Sequence, residues 1–266
     1  MGIGITYIIE ITDVWMLEKI DIENIKKIAI DAGDAIMKIY KKDFKIEYKQ
    51  DNSPLTEADI KANEIICDAL EKLYPEIPIL SEENKEIKYE QRRGWEYFWC
   101  IDPIDGTKEF IKRTGEFTVN IALIYNDKPV LGVVYAPAIN DIYYAKKNEG
   151  AFKNDKQLPL HINTNQKEKL LVVASVSHLS DETQSFINSL DAKVIEQTSK
   201  GSSLKLCMVA EGVADIYPRL APTMEWDTAA ADAIVREAGK MTLQYEINKP
   251  LLYNKENLLN PWFVVR

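Results

Sequence analysis

Apolar positions between residues 22 and 42 recur at spacings of three and four. Ile22, Ile25, Ala29, Ala32, Ile36, Ile39 and Tyr40 fall on one stripe, which predicts an amphipathic helix. The polar run 48–54 breaks that period and reads as a loop, with Pro54 biasing Ser53 away from helix. A second helical pattern runs from Thr56 to Leu73 and stops before Pro75. Ile77–Leu80 predicts a short strand ending at Ser81-Glu82-Glu83, and residues 84–94 are polar enough to predict a mobile loop. Residues 96–101 then predict a strand that delivers Asp102 at its C-terminal end.

Runs at 117–125 and 130–136, joined by Asn126-Asp127-Lys128, and shorter ones at 141–145 and 151–153 predict a hairpin or meander. From about residue 168 the texture alternates. Strand 170–175 leads to helix 181–190, strand 193–197, helix 202–211, strand 214–217 and helix 227–238, with Gly239 placed to close the last helix. No repeat and no Pro/Gly/Ser linker interrupts the chain. The change near residue 160 predicts an α+β half over 1–160, antiparallel and helix-flanked, packed against an α/β half over 161–266.

The chain has 266 residues, 46% of them hydrophobic, enough for one large domain or two packed halves. Its net charge of −9 argues against a nucleic-acid polymer as partner, since binding one relies on clustered Lys and Arg. A small polyanion bridged by cations stays compatible. Cys67, Cys100 and Cys207 are too scattered for a disulfide framework or a zinc site. Only two histidines occur, His161 and His178, which leaves oxygen-ligated Mg²⁺, Mn²⁺ or Ca²⁺ as the candidate metals. No apolar run approaches the ~20 residues of a membrane span. Met1–Ile9 is apolar but lacks the basic region and cleavage site of a signal peptide. Met16 opens a more ordinary sequence and is an alternative start, with 1–15 then an extension. These features predict a soluble cytoplasmic protein, associated with a membrane at most peripherally.

The densest chemistry is Asp102-Pro103-Ile104-Asp105-Gly106-Thr107. Two carboxylates followed by Gly-Thr can hold a hard cation and turn backbone N–H groups toward a phosphate. The same pattern suits an Asx turn or a helix cap. It does not suit an EF-hand, because position twelve counted from Asp102 is Arg113 rather than Glu. Glu82 at a strand end and Asp227 at a helix start supply further carboxylates, and four such groups meet only if cations offset their repulsion. Asp59 belongs to Thr56-Glu57-Ala58-Asp59, a capping-box pattern, so a structural role competes with that of a base acting on Thr107. Ser202, Lys205 and Arg219 near element ends, and His178 in a loop, are surface or loop residues by default. The chain reads as a metal-dependent enzyme acting on a phosphate ester.

Glu82-Glu83, Asp102–Thr107 and Trp226-Asp227-Thr228-Ala229-Ala230 together resemble the three signatures of the inositol monophosphatase superfamily of Mg²⁺-dependent, lithium-sensitive phosphatases. Asp51–Asp59, Gly201–Lys205 and Ala214–Arg219 make the chain most similar to the bacterial 3′(2′),5′-bisphosphate nucleotidases within it, from about residue 16 onward. The resemblance implies a layered αβαβα sandwich with its site between the halves. It makes Glu82, Asp102, Asp105, Asp227 and the Ile104 carbonyl ligands of about two to three Mg²⁺ ions, with Mn²⁺ able to substitute. Asp59 and Thr107 would serve the attacking water. Glu82, Gly106, Thr107, His178, Ser202, Lys205, Arg219 and Asp227 would contact substrate. The implied reaction is hydrolysis of 3′-phosphoadenosine 5′-phosphate to AMP and phosphate, with sulfur metabolism as its setting. The alternative is an inositol or sugar monophosphate phosphatase, and a non-catalytic cation- or nucleotide-binding protein is a third reading. Val176 stands where the family commonly has Arg, and Ala231 and Lys240 replace glycines.

Overall fold

The computed structural model describes residues 16–42, 46–48, 54–84, 87–175 and 180–266. The N-terminal extension 1–15, most of the loop expected over 48–54, Val176 and His178 lie outside the described residues.

Helix α1 (Ile22–Tyr40) is capped by Asp21, whose side chain accepts from Glu23 N at 3.0 Å, and it buries Ile25, Ile28, Ala29, Ala32 and Ile36. Strands β1 (Ile46–Tyr48) and β2 (Pro54–Thr56) pair antiparallel, so the segment expected to be a plain loop is flanked by a small ladder. Helix α2 (Glu57–Leu73) follows directly.

A seven-stranded sheet then forms in chain order: β3 (Ile79–Ser81), β4 (Tyr97–Asp105), β5 (Thr118–Tyr125), β6 (Lys128–Ala136), β7 (Asp141–Lys146), β8 (Gly150–Lys153) and β9 (Lys156–Gln157). Only β3 and β4 run parallel; every later pairing is antiparallel, as the meander pattern predicted. Both faces of the central strands are covered. Trp99, Ile101, Val119, Ile121 and Val133 pack with α1 and α2, whereas Phe98, Cys100, Ala122 and Val134 pack on the opposite side. Double coverage explains why these strands read as near-continuous apolar runs rather than as strict alternation. Each fully buried Ile or Leu contributes about 1.5–3 kcal/mol to this core.

The stretch 84–94, predicted to be mobile, contains helix α3 (Tyr89–Arg92). Arg92 is buried and donates to Asn254 Oδ1 and to Glu256 O, both at 2.9 Å. Its polarity is spent on buried partners far along the chain, which local composition does not reveal. Helix α4 (Thr107–Ile111) closes the turn after β4.

The second half builds another sheet. Strand β10 (Lys169–Ala174) leads through helix α5 (Asp181–Asn188) to β11 (Val194–Ser199), its parallel partner. Helix α6 (Leu204–Glu211) precedes β12 (Tyr217–Arg219). Helix α7 (Ala229–Glu237) precedes β13 (Thr242–Gln244), and β14 (Phe263–Val265) lies between β12 and β13. A parallel bridge from Val172 to Ile216 joins the two pieces. The strand expected at 214–217 is seen at 217–219; before it, Asp215 N donates to Leu171 O at 2.8 Å and the Asp215 carboxylate accepts from Leu171 N at 2.7 Å. Helix α5 ends at Asn188 rather than 190, and α6 begins at 204 rather than 202.

Helices α6 and α7 lie between the sheets. Leu206, Val209, Ile234 and Val235 share one buried cluster with Phe98 and Ala122 of the first sheet and with Tyr217, Phe263 and Val265 of the second. Ile187 of α5 packs on the outer face with Val172, Ile216 and Val264. The order is α1/α2, sheet, α6/α7, sheet, α5: the layered αβαβα sandwich. A Cβ at Gly132 would lie 2.1 Å from Ala230 O, so glycine is what lets α7 approach β6 this closely. Among the described residues no helix is long and apolar enough to cross a membrane.

Candidate active site

Glu82 comes directly after β3, on a 3₁₀ turn (Glu82–Asn84). Its approach is set by Ser81, fully buried, whose hydroxyl donates to Asn63 Oδ1 of α2 at 2.7 Å. Asp102 lies inside β4 rather than beyond its end, opposite Asn120 of β5. The ladder then slips: Asp105 pairs with Thr118, so two residues of β4 oppose one of β5. This bulge turns the strand end, as bulges do. Asp102 Oδ1 accepts from Ile104 N at 3.0 Å, so the Asx turn allowed by the sequence is present beside the candidate ligand role. Asp227 stands two residues before α7, on a turn in which its Oδ2 accepts from Met224 N at 2.9 Å.

Glu82, Asp102 and Asp227 each offer an oxygen such that the three lie within 4.8 Å of one another. Asp102 is buried and the other two half-buried. Burial, reinforced by Glu82, Asp105 and Asp227, holds the Asp102 carboxyl well above the usual carboxylate range. Burial and Asp105 do the same for Asp227, against the Met224 N–H. Carboxylates so placed repel one another unless a cation or protons intervene, and an all-oxygen set suits a hard divalent ion. Asp105 stands beside this trio rather than within it, lining the same cavity. Burial raises it to about 6, opposed by the Lys205 ammonium and the Ser203 N–H.

The rivalry between cap and base at Asp59 resolves by oxygen. Oδ2 accepts from Thr56 N at 2.8 Å and from the Thr56 hydroxyl at 2.6 Å, completing the capping box. Oδ1 accepts from the Thr107 hydroxyl at 3.3 Å. Burial raises Asp59 to about 6, against the two Thr56 donors. Thr107 also faces the Ile104 carbonyl at 3.3 Å. The short helix begins at Thr107 with Gly106 as its cap, in the left-handed region at φ 91°.

The same cavity, about 270 Å³ in volume, is also lined by Ser202, Lys205 and Arg219, with Ser175, Tyr217 and Phe263. Lys205 is buried, and burial lowers it to about 8, against the pull of Asp105. Its ammonium donates to Ser202 O at 2.5 Å and lies 5.6 Å from the centre of the Tyr217 ring. Ser202 adopts φ 49°, a left-handed conformation uncommon for a non-glycine residue, and its buried hydroxyl has no partner among the described residues. Arg219 donates to Pro222 O at 2.9 Å, while its buried Nε likewise lacks a partner there. Unpaired buried donors facing a cavity are suited to an anionic ligand.

Sequence reasoning missed a buried relay beneath Asp105. Ser203 Oγ donates to Asn120 Oδ1 at 2.9 Å and lies 2.9 Å from Thr118 Oγ1, while Asn120 Nδ2 reaches Asp105 Oδ2 at 3.5 Å. The one available signal was Asn120 itself, a polar residue in the middle of an apolar strand.

The layered α/β sandwich thus brings three carboxylates together, and two of them, Glu82 and Asp227, line one cavity with Lys205 and Arg219. The family model for the inositol monophosphatase family matches residues 16–261. The chain is 47% identical over 247 residues to the 3′(2′),5′-bisphosphate nucleotidase CysQ of Salmonella typhimurium, covering 92% of this chain and 98% of the relative. It superposes on the crystal structure of CysQ from Bacteroides thetaiotaomicron with a TM-score of 0.78 at 46% identity, covering 90% of this chain and 94% of that one. The Thermotoga maritima IMPase gives a TM-score of 0.73 at 27% identity, covering 90% and 89%. The chain belongs to the inositol monophosphatase family, whose members generally depend on metal.

Proposed function

We propose that this protein removes the 3′-phosphate of 3′-phosphoadenosine 5′-phosphate, giving AMP and phosphate, with Mg²⁺ as the working cation. The reading is carried by one observation: one cavity is lined by the carboxylates Glu82, Asp105 and Asp227, by Thr107 and by the cations Lys205 and Arg219. A substrate with one phosphate to lose and another to be held uses both sets of groups. A monophosphate would leave the cations without a second phosphate to hold. The nucleotidase names of relatives at 46–47% identity support the same choice.

Glu82, Asp102 and Asp227 would hold the cation, with Asp105 and the Ile104 carbonyl as further ligands. Mg²⁺ there, or Mn²⁺ in its place, supplies positive charge against the phosphate and lowers the pKa of a coordinated water. Thr107 orients the attacking water through its hydroxyl and passes a proton to Asp59 Oδ1. A base near 6 is matched to that task at neutral pH. The N–H groups of Gly106 and Thr107 receive the reacting phosphate. His178, Ser202, Lys205 and Arg219 hold the nucleotide and its other phosphate. The labour divides near residue 160, most metal ligands coming from 1–160 and the substrate-holding groups from 161–266. Three unpaired cysteines accord with a reducing, cytoplasmic setting.

The test is phosphate release with Mg²⁺ from 3′-phosphoadenosine 5′-phosphate and inositol 1-phosphate in parallel, with and without lithium. A lithium-sensitive preference for the nucleotide is expected. Preference for the inositol ester would leave the carboxylate site standing and remove the nucleotide assignment.

A further inference from the structure

Asp227 sits on a turn, and that turn is held from behind. Glu225, two residues away, is completely buried. Its Oε2 accepts from Asn254 N at 2.7 Å, and its Oε1 accepts from Lys255 N at 3.0 Å and from the Lys255 ammonium at 2.6 Å. A buried carboxylate is costly unless its oxygens are satisfied. Here both are satisfied by a segment 29 and 30 positions further along. Asn260 reaches the same turn from that segment. Its Nδ2 donates to Met224 O at 2.7 Å and to Thr228 Oγ1 at 3.1 Å, and its backbone N donates to Thr223 O at 2.8 Å. Met224 O is also the acceptor of Asp227 N at 3.2 Å, and Met224 N donates to the Asp227 carboxylate. Asn260 thus grips the residue that fixes both ends of Asp227.

The same segment reaches toward the other carboxylate-bearing turn. Asn254 accepts from Arg92 with its Oδ1 and donates to Arg92 O with its Nδ2, both at 2.9 Å. Arg92 belongs to α3, the first helix after the Glu82 turn.

We infer that residues 254–260 form a clamp that sets the position of Asp227, with Glu225 and Asn260 as positioning residues. Cation affinity then depends on two side chains that do not touch the cation. The inference rests on reading Asp227 as a metal ligand, which nothing in the clamp itself requires.

Direct Mn²⁺ titration of the folded protein, followed by electron paramagnetic resonance, tests it alongside thermal unfolding in EDTA. The variants are Glu225→Gln, Asn260→Ser and, as reference, Asp227→Asn. Each clamp variant is expected to weaken Mn²⁺ binding about 10-fold or more, in the range seen when partners of metal ligands are removed. At saturating Mn²⁺ its kcat should return to near the wild-type value. A purely structural role would lower the unfolding temperature in EDTA and leave the affinity of the folded molecules unchanged. That outcome, with Asp227→Asn defective, overturns the clamp and spares the metal reading. A wild-type protein that binds no Mn²⁺, or an Asp227→Asn variant that binds normally, overturns both. If Glu225→Gln fails to fold, Asn260→Ser decides the matter, since it removes the donor amide without stranding a charge.

Discussion

Asp59 shows how one side chain serves two ends at once: Oδ2 closes the helix cap and Oδ1 meets Thr107. Separate substitutions should therefore divide the roles. Asp59→Asn keeps an oxygen for the cap and loses the base, so kcat should fall on the order of 10²–10⁴-fold with little change in unfolding temperature. Thr56→Val should do the reverse, costing about 1 kcal/mol of stability with most activity retained. Arg219→Ala should raise KM for the bisphosphate about 10-fold or more, the scale of one charged hydrogen bond, and leave an inositol monophosphate unaffected. Lys205 adds a pH signature. Burial lowers it to about 8, so it loses its charge as pH rises past that value. The KM for the bisphosphate should climb above about pH 8, and Lys205→Arg, which stays charged, should flatten that rise. A steady KM across the range in wild type would remove Lys205 from anion binding.

Helix α7 matters most among the elements because it follows the Asp227 turn and fills the space between the sheets. Its C-terminus ends as Gly239 predicted. Gly239 N donates to Arg236 O and Lys240 N to Val235 O, both at 3.0 Å, with Gly239 at φ 77°. This is the paired closure of a Schellman motif. Gly239→Ala should cost about 1 kcal/mol, read as a lower unfolding temperature at unchanged kcat, since no neighbour would meet the added methyl group. Gly132→Ala should cost about 1–3 kcal/mol, because its methyl group would strike the Ala230 carbonyl. It should also reduce cation affinity, through displacement of the helix beside Asp227. Lys240, standing where the family commonly has glycine, donates a backbone N–H that any residue can supply. Ala231 is simply buried between the sheets.

Across the whole molecule the carboxylate site links stability to pH. Without a cation, Asp59 and Asp105 sit near 6 rather than at their ordinary 3.8. The folded protein then holds more protons than the unfolded chain between about pH 4 and about pH 6, and its stability falls as pH rises through that window. A cation among the carboxylates offsets the penalty. In EDTA the unfolding temperature should decline from about pH 4 to about pH 7, and added Mg²⁺ should raise it most at the upper end. A flat profile in EDTA would mean that something other than a cation relieves the repulsion.

Much of this molecule was legible locally. Helical stripes, the meander, the cap at Thr56, the closing glycine at 239 and the acidic hexapeptide follow from short-range periodicity, backbone geometry and turn chemistry. What escaped were polar residues whose partners lie far along the chain. Arg92 read as part of a polar, mobile loop, and Asn120 and Glu225 were not singled out at all. The sequence alone determined the long helices, the strands of the meander and which residue types can bind a cation or an anion. Only the tertiary structure decided which carboxylates meet: Glu82, Asp102 and Asp227 converge while Asp105 stands aside toward Lys205. Spacing along a chain carries no distance between turns that different sheets and helices hold in place, and long-range packing sets that distance.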